Sequence, residues 1–160
     1  MNIEMEWHAP FDLEVDKKGR FIYKISDIEY VPEKPGVYVF SRVHGKKVVP
    51  VYIGSASQLR RRLTQHLNNL QLMKLMQAQL AGTRTVHVGE FKQKSGSQYA
   101  PRVIKIVEQA LISTAIHEGH QLLNKQGTKT LVHTIVNKGN REARAWLPEK
   151  VISLRRASSE

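Results

Sequence analysis

Cysteine is absent from the 160-residue chain, which excludes disulfide bonds and thiolate metal sites. Long apolar runs are also lacking, and no stretch approaches the length of about 20 residues that a membrane-spanning helix needs. The first 18 residues are acidic and have neither the basic start nor the apolar run of a signal peptide. We therefore expect a cytoplasmic protein of one domain, residues 1–160, without a membrane partner.

Carboxylates are scarce in the middle of the chain. Residues 34–117 contain thirteen Lys and Arg but only Glu90 and Glu108, whereas residues 1–33 contain eight carboxylates and four Lys and Arg. The net charge of +11 therefore comes mainly from the middle segment. This distribution is typical of a protein that binds the phosphate backbone of nucleic acid, and the alternative is a basic structural protein.

The same middle segment begins with a strand, turn, strand and helix pattern. Residues 37–40 and 47–53 are rich in strand formers and predict a hairpin, in which Pro50 requires an edge position or a bulge. Gly54 predicts the end of the second strand. The Ser-x-x-Gln pattern of residues 55–58 has the form of a capping box and predicts that a helix begins within a residue or two.

In that helix, leucine recurs at every fourth position of residues 59–67 and forms an apolar stripe. At 100° per residue, Arg62 and His66 border the stripe on one side and Arg60 on the other, while Arg61 points away. Two cationic or protonatable groups therefore lie one turn apart beside the tyrosine-bearing strands. The alternative interpretation is a solvated basic face.

A longer helical pattern covers residues 101–117, and Gly119 predicts where it ends. Glu108 is the only carboxylate of this helix and falls at the centre of its most apolar face. An ionised carboxylate is not left unpaired in such a position. Glu108 therefore forms an ion pair with Arg62 or another cation, binds a metal ion, or is protonated.

The flanking segments predict further elements. Residues 11–15 and 21–25 alternate as an N-terminal hairpin, and residues 70–80 and 83–91 predict a second helix and a third core strand. Beyond the long helix, two strand-like segments, 131–136 and 143–154, predict a C-terminal hairpin with Trp146 as its core anchor.

Several of these residues occur in an order that resembles the GIY-YIG nuclease family. They are Gly36-Val37-Tyr38, Tyr52-Ile53-Gly54, Arg62, Glu108 and Asn124, and the resemblance covers residues 34–127. It implies an α+β fold with a small central antiparallel three-stranded sheet flanked by helices. The segments 1–33 and 128–160 would then be extensions, hairpin-like in part, outside this core.

The resemblance also implies a function, the metal-dependent hydrolysis of nucleic-acid phosphodiesters, with DNA as the expected substrate. One Mg²⁺ or Mn²⁺ ion would be held by Glu108, and Mg²⁺ suits so few carboxylates because it retains several waters. The implied catalytic residues are Tyr38 as general base, His66 as its proton relay, Arg62 on the scissile phosphate, Tyr52 as an orienting group, Glu108 on the metal and Asn124 as support for the glutamate helix.

Two departures from the family pattern and one alternative accompany this interpretation. Val37 replaces an isoleucine, and Ser55 stands where some members carry a lysine, which excludes a lysine at that position from the mechanism. The alternative is a catalytically inactive nucleic-acid-binding module with the same fold; the oligomeric state is left open. In either case, we expect the nucleic acid to contact the basic residues Lys46, Lys47, Arg60, Arg61, Lys92 and Lys94.

Overall fold

The computed structural model describes residues 3–92, 100–126, 130–145 and 148–156. Its strands are β1 (Met5–Trp7), β2 (Phe11–Val15), β3 (Tyr23–Ile25), β4 (Gly36–His44), β5 (Lys47–Ala56), β6 (Thr83–Phe91), β7 (Thr130–Val136) and β8 (Lys150–Arg156). Its helices are α1 (Leu59–Leu67), α2 (Leu70–Gln77), α3 (Ala100–His117) and α4 (Arg141–Arg144).

The main sheet is antiparallel and larger than the resemblance implies. Among the described residues it has six strands, in the order β3-β2-β6-β4-β5, with β1 also paired to β6. The α+β class is confirmed, but the sheet has more strands than the three expected, because the strands of the N-terminal extension join it. Because β6 pairs with β4 along one side only, its other side has unpaired backbone groups, and β1 and β2 satisfy them.

The hairpin of β4 and β5 forms as predicted, and both predictions for Pro50 are confirmed. Strand β5 lies at the edge of the sheet. The pairing register shifts where Phe40 opposes Tyr52 but Ser41 opposes Pro50, which leaves Val51 as an extra residue on β5. Pro50 thus lies next to a bulge on an edge strand, the two surroundings in which a strand tolerates a residue without an N–H.

Two hydrophobic clusters cover the two faces of the sheet. On the first face, Tyr38, Phe40, Val86 and Val88 pack against α1 and α2. We call this the helix-pair face. On the second face, Ile53 packs against residues of α3, and we call this the α3 face. Side chains alternate along a strand, so neighbouring residues of β5 take part in different clusters.

The start of α1 differs from its predicted capping. Ser55 lies within β5, and Gln58 occupies the N-cap without a side-chain hydrogen bond. The N–H groups of Leu59 and Arg60 instead donate to the carbonyl oxygens of Lys34 at 3.1 Å and Pro32 at 3.2 Å. The capping box is therefore wrong, because backbone carbonyls of the preceding loop satisfy the first turn of the helix.

The remaining elements follow the sequence pattern closely at α2, β6 and α3. Helix α2 ends at Gln77, a few residues before the predicted end, and β6 has the predicted bounds. At the end of α3, Gly119 has φ of +86°, and the N–H of His120 donates to the carbonyl of Ala115 at 2.9 Å. This is the left-handed helix stop that the glycine predicts.

The C-terminal strands β7 and β8 pair as an antiparallel hairpin, as predicted, but the second strand begins later. The side chain of Asn140 accepts hydrogen bonds from the N–H groups of Glu142 and Ala143 and caps α4. The expected strand from Ala143 is therefore wrong over its first residues, because an N-cap asparagine starts a helical turn there. Trp146 lies outside the described residues.

Within the described part of the chain, no helix has the length and the apolar character needed to cross a membrane.

Candidate active site at the edge of the sheet

The phenol of Tyr38 lies across Gly54, its cross-strand partner on β5. A Cβ atom added to Gly54 would lie 2.3 Å from the hydroxyl oxygen of Tyr38 and 2.4 Å from its Cζ, so no other residue fits at this position without a shift. The hydroxyl reaches His66 on α1 and shares a buried hydrogen bond of 2.6 Å with its Nε2 atom. The close approach at Gly54 therefore brings a strand residue and a helix residue together.

Tyr52 completes an aromatic group around this hydrogen bond. Its ring is nearly parallel to that of Tyr38, with an interplanar angle of 14° and a centroid distance of 6.4 Å. The imidazole of His66 meets both rings edge-on, at centroid distances of 5.2 Å from Tyr38 and 5.4 Å from Tyr52. Three of the predicted site residues thus contact one another on the helix-pair face.

Burial keeps these three groups neutral near pH 7. It raises the pKa of Tyr38 far above the usual value and also raises the pKa of Tyr52. Burial and, to a smaller extent, the positive charge of Arg62 lower the pKa of His66 to about 4. The same Arg62 charge opposes the rise of both tyrosine pKa values, which places its guanidinium beside the phenols.

Glu108 approaches the same edge from the α3 face and is 8% exposed. Its Oε2 atom accepts a hydrogen bond from the hydroxyl of Ser55 and another from Nζ of Lys105 at 2.7 Å. The ion pair considered from the sequence therefore exists, with Lys105 rather than Arg62 as the cation. The Arg62 guanidinium instead donates to Oε1 of Gln65 at 3.3 Å and hydrogen-bonds the phenol of Tyr38.

Ser55 and Lys105 were missed as site residues in the sequence analysis. Lys105 precedes Glu108 by three residues on one helix, a spacing at which side chains of opposite charge meet, so this signal was available. Ser55 was interpreted as part of a capping box, so its hydrogen bond to Glu108 was not predicted. An ammonium group lies beside the carboxylate after all, although it comes from α3 and not from the position of Ser55.

The two halves of the site lie on opposite faces of β5 and meet at its open edge. Ser55 is on the α3 face and Gly54 on the helix-pair face, because neighbouring residues alternate. The carboxylate of Glu108 accepts from Ser55, and the phenol of Tyr38 lies over the adjacent Gly54, so the two groups approach neighbouring residues of β5. Since β5 is the edge strand of the described sheet, no further strand separates the two halves.

Asn124 binds the open edge of β5 in the manner of a neighbouring strand. Its Oδ1 accepts a hydrogen bond from the N–H of Ile53 at 2.9 Å, and its Nδ2 donates to the carbonyl oxygen of Ile53. The residue follows the helix stop at Gly119, so it connects the end of α3 to β5. Asn124 thus holds the backbone of β5 at Ile53, the residue between Tyr52 and Gly54.

The six predicted nucleic-acid-binding residues have different surroundings. The Arg60 guanidinium donates to the carbonyl oxygens of Val31 and Glu29 and pairs with Glu33 at 2.9 Å. Lys92 pairs with Glu6, which raises the pKa of its ammonium group. Acidic residues of the N-terminal extension therefore already neutralise two of the six cations.

Arg61, Lys46 and Lys47 are exposed and form no ion pair among the described residues. Arg61 lies on the outer side of α1, next to Arg62, whereas the two lysines lie at the tip of the β4–β5 hairpin. Lys94 lies outside the described residues. The exposed cations accordingly form two groups, one beside the site and one at the hairpin tip.

The donor set permits only sparse metal ligation by the described residues. No group of three or more His, Cys, Asp or Glu side chains that could hold a metal ion is found among them. Glu108 is the one carboxylate of the site. A hard cation that retains most of its waters, such as Mg²⁺, fits a single carboxylate oxygen better than Zn²⁺, which requires several protein ligands.

Comparison with known proteins agrees with this geometry. The model of the GIY-YIG catalytic domain matches residues 34–114, about half of the chain. The UvrABC system protein C of Aquifex aeolicus (strain VF5) is 52% identical over 40 residues, which make up 25% of this chain and 6% of that protein. The chain therefore matches a small part of that relative's length. No solved structure gives a significant match.

Replacement of Asn124 tests the edge contact. In Asn124→Ala the N–H and carbonyl of Ile53 lose both side-chain partners, and we expect a loss of about 1–3 kcal/mol in the free energy of unfolding. Asn124→Asp keeps the acceptor but places a second oxygen against the carbonyl of Ile53, so it should be no more stable than the alanine variant. Urea denaturation measures both, with Gln121→Ala, an exposed change in the same loop, as control.

The low pKa of His66 predicts a pH dependence of stability. Because the folded-state pKa of about 4 lies below the unfolded value of about 6.5, the contribution is complete above pH 6.5 and is lost as pH falls toward 4. Within this window the wild type should lose up to about 1.4 kcal/mol per pH unit from this group. His66→Gln should remove that slope from unfolding free energies measured between pH 4 and 7.

The exposed His44 at the hairpin tip provides the control, since His44→Gln should leave the slope unchanged. A His66→Gln protein with the wild-type slope would contradict the buried neutral imidazole, whatever its absolute stability.

Proposed function

Because the chain belongs to the GIY-YIG catalytic domain family, we propose that it is an endonuclease that hydrolyses phosphodiester bonds of nucleic acid, with DNA as the expected substrate. The observation that carries this proposal is the meeting of Tyr38, His66 and Glu108 at one open sheet edge beside Arg62. Phosphodiester hydrolysis requires an activated water, positive charge on the developing pentavalent phosphorus centre and stabilisation of the leaving oxygen. The site has a residue for each requirement.

Water activation falls to Tyr38 together with His66. A phenol with a raised pKa is seldom a phenolate at neutral pH, so Tyr38 alone is a poor base. Its 2.6 Å hydrogen bond to Nε2 of His66 offers a relay: the phenol proton passes to Nε2 as the phenol oxygen accepts a proton from the attacking water. His66 is neutral near pH 7 and able to accept this proton.

Arg62 is the residue for the scissile phosphate. Its guanidinium hydrogen-bonds the phenol of Tyr38, and its charge lowers the pKa of Tyr38, Tyr52 and His66, which supports a position beside all three. A planar guanidinium binds two phosphate oxygens at once and remains charged throughout the reaction. Tyr52, parallel to Tyr38, would orient the phosphate or the adjacent nucleotide.

Glu108 is the residue that would hold one Mg²⁺ or Mn²⁺ ion. When bound, such an ion neutralises charge on the phosphate and on the leaving oxygen. Ser55 fixes the carboxylate by its hydrogen bond to Oε2, and Asn124 fixes the strand that carries Ser55. The site would therefore hold the cation on one face of β5 and the water-activating pair on the other.

The exposed cations suggest how a long substrate would lie. Lys47 and Tyr52 pair with His44 and Phe40, four ladder positions apart, which at about 3.3 Å per residue corresponds to roughly 13 Å. This distance spans about four phosphates of one DNA strand at about 3.4 Å each. Nucleic acid would run from Arg61 and Arg62 past the tyrosines toward Lys46 and Lys47.

A catalytically inactive nucleic-acid-binding module is the second candidate. The pairing of Glu108 with Lys105 favours it, because a neutralised carboxylate is also what a purely structural role requires. The two candidates differ in cleavage, which supercoiled plasmid, single-stranded DNA and RNA, each with and without Mg²⁺, would reveal.

Tyr38→Phe tests the relay. We expect cleavage to fall by at least about 100-fold, because general base catalysis typically contributes that much. The variant also leaves the Nε2 atom of buried His66 without its partner, so the free energy of unfolding should fall by about 1–2 kcal/mol.

Tyr23→Phe is the matched control, since Tyr23 is a buried tyrosine of the N-terminal extension. It should cut at the wild-type rate. Tyr38→Phe protein that cuts nearly as fast as the wild type would assign the base to another group.

Glu108→Gln tests metal ligation and separates the two candidates. The amide keeps the shape and can still accept from Ser55, so the loss of the half-exposed pair with Lys105 should cost no more than about 1 kcal/mol. Mg²⁺-dependent cleavage should disappear. Mg²⁺ should raise the melting temperature of the wild type but not of the variant.

Glu90→Gln is the matched control, since Glu90 is the other buried carboxylate of residues 34–117 and pairs with His8 and Lys34 away from the tyrosines. This change should reduce stability but preserve cleavage. Metal-dependent cleavage by the Glu108→Gln protein would refute the ligand assignment.

A further inference from the structure

Lys105 and Ser55 use the same oxygen of Glu108. The ammonium group lies 2.7 Å from Oε2 and the serine hydroxyl also donates to Oε2, whereas Oε1 accepts no hydrogen bond from the described residues. The carboxylate group is 10% exposed and the lysine side chain 48%. One partner of this pair is therefore fixed in the protein, and the other can move into solvent.

The ammonium group of Lys105 neutralises the carboxylate of Glu108, and a bound metal ion would do the same. A nearly buried carboxylate requires a positive charge within a few ångströms, and Lys105 supplies it in the protein without metal. A divalent cation on the same carboxylate would repel the ammonium group at that distance. This repulsion disfavours the two charges on one carboxylate, even on different oxygens, and of the two partners the lysine has the flexible stem that lets it leave.

The position of Lys105 determines where its charge would go. Lys105 is one turn before Glu108 on α3, and its ammonium group contacts the carboxylate that accepts from Ser55 on the α3 face of the edge strand β5. Arg62 reaches that edge from the helix-pair face. A phosphate placed between the tyrosines and Glu108 would have Arg62 on one side and Lys105 on the other.

We propose that Lys105 occupies the place of the divalent cation on Glu108 and, when the cation binds, moves onto the scissile phosphate. This inference rests on the proposed nuclease function. It assigns two roles to one residue: competition with metal in the free protein, and contact with the phosphate in the metal-loaded complex. Removal of the ammonium group should therefore strengthen metal binding and weaken catalysis, two effects of opposite sign.

The experiment compares Lys105→Met with Arg102→Met. Arg102 is an exposed cation of the same helix that forms no ion pair among the described residues, so both variants lose one positive charge from α3. Mn²⁺ is titrated by calorimetry into each protein without nucleic acid, and single-turnover cleavage is measured at saturating metal.

For Lys105→Met we expect the Mn²⁺ dissociation constant to fall by about three- to tenfold, the factor that corresponds to a partly exposed ion pair. Arg102→Met should change it by less than about twofold, which covers the general effect of one surface charge. At saturating metal, Lys105→Met should cut at least about tenfold more slowly than Arg102→Met. Lys105→Arg, which keeps the charge, should bind Mn²⁺ as weakly as the wild type.

Equal Mn²⁺ affinity of the Lys105→Met and Arg102→Met proteins would overturn the competition, and equal cleavage rates would overturn the phosphate contact. Neither result affects the proposed function, which depends on cleavage by the wild type and its loss in Glu108→Gln. Conversely, the wild type could bind Mn²⁺ more weakly than Lys105→Met and yet cut no substrate. That result would support the competition between Lys105 and the metal ion and would refute the proposed nuclease function.

Discussion

The absence of a side chain at position 54 is the constraint on which the site depends. Only a glycine there lets the phenol of Tyr38 lie across β5, and only from that position does its hydroxyl reach Nε2 of His66. The contact in turn fixes α1 over the helix-pair face and thereby directs Arg62, one turn earlier on the same helix, toward the phenols. Because β5 is an edge strand, Glu108 reaches the same place from the other face without passing through the sheet.

The N-terminal extension has a structural and an electrostatic effect on the core. Strands β1 and β2 satisfy the otherwise open side of β6, and the loop before β4 supplies the carbonyl groups that receive the first N–H groups of α1. Its acidic residues also pair with Arg60 and Lys92. Nucleic acid would therefore meet the exposed cations Arg61, Lys46 and Lys47 rather than every cation of residues 34–117. Four of those cations pair with carboxylates of the protein, namely Lys34, Arg60, Lys92 and Lys105.

The local patterns predicted most elements but not their neighbours. The hairpin of β4 and β5, strand β6 and helix α3 followed from periodicity and turn residues, and the family order of Tyr38, Tyr52, Arg62, Glu108 and Asn124 indicated which side chains to compare. Strand pairing depends on contacts between residues that are distant in sequence, so the pairing of β1 and β2 with β6 could not be predicted from local patterns. The role of Ser55 was hidden for the same reason, since its partner Glu108 is far away in the sequence, whereas Lys105 could have been found from its spacing to Glu108.

Burial would create a difficulty for the proposed catalysis, and the hydrogen bond between Tyr38 and His66 offers a way around it. The environment that excludes water around Tyr38 raises the pKa of its phenol, so a mechanism that requires a standing phenolate would leave nearly all molecules inactive at pH 7. Burial also lowers the pKa of His66, which keeps its imidazole neutral but makes it a weak base. Transfer from water to the phenol oxygen and from the phenol to Nε2 avoids the phenolate, and its cost falls when negative charge arrives nearby to stabilise the imidazolium. A bound phosphate brings such charge, so the relay would become effective only when substrate occupies the edge of β5.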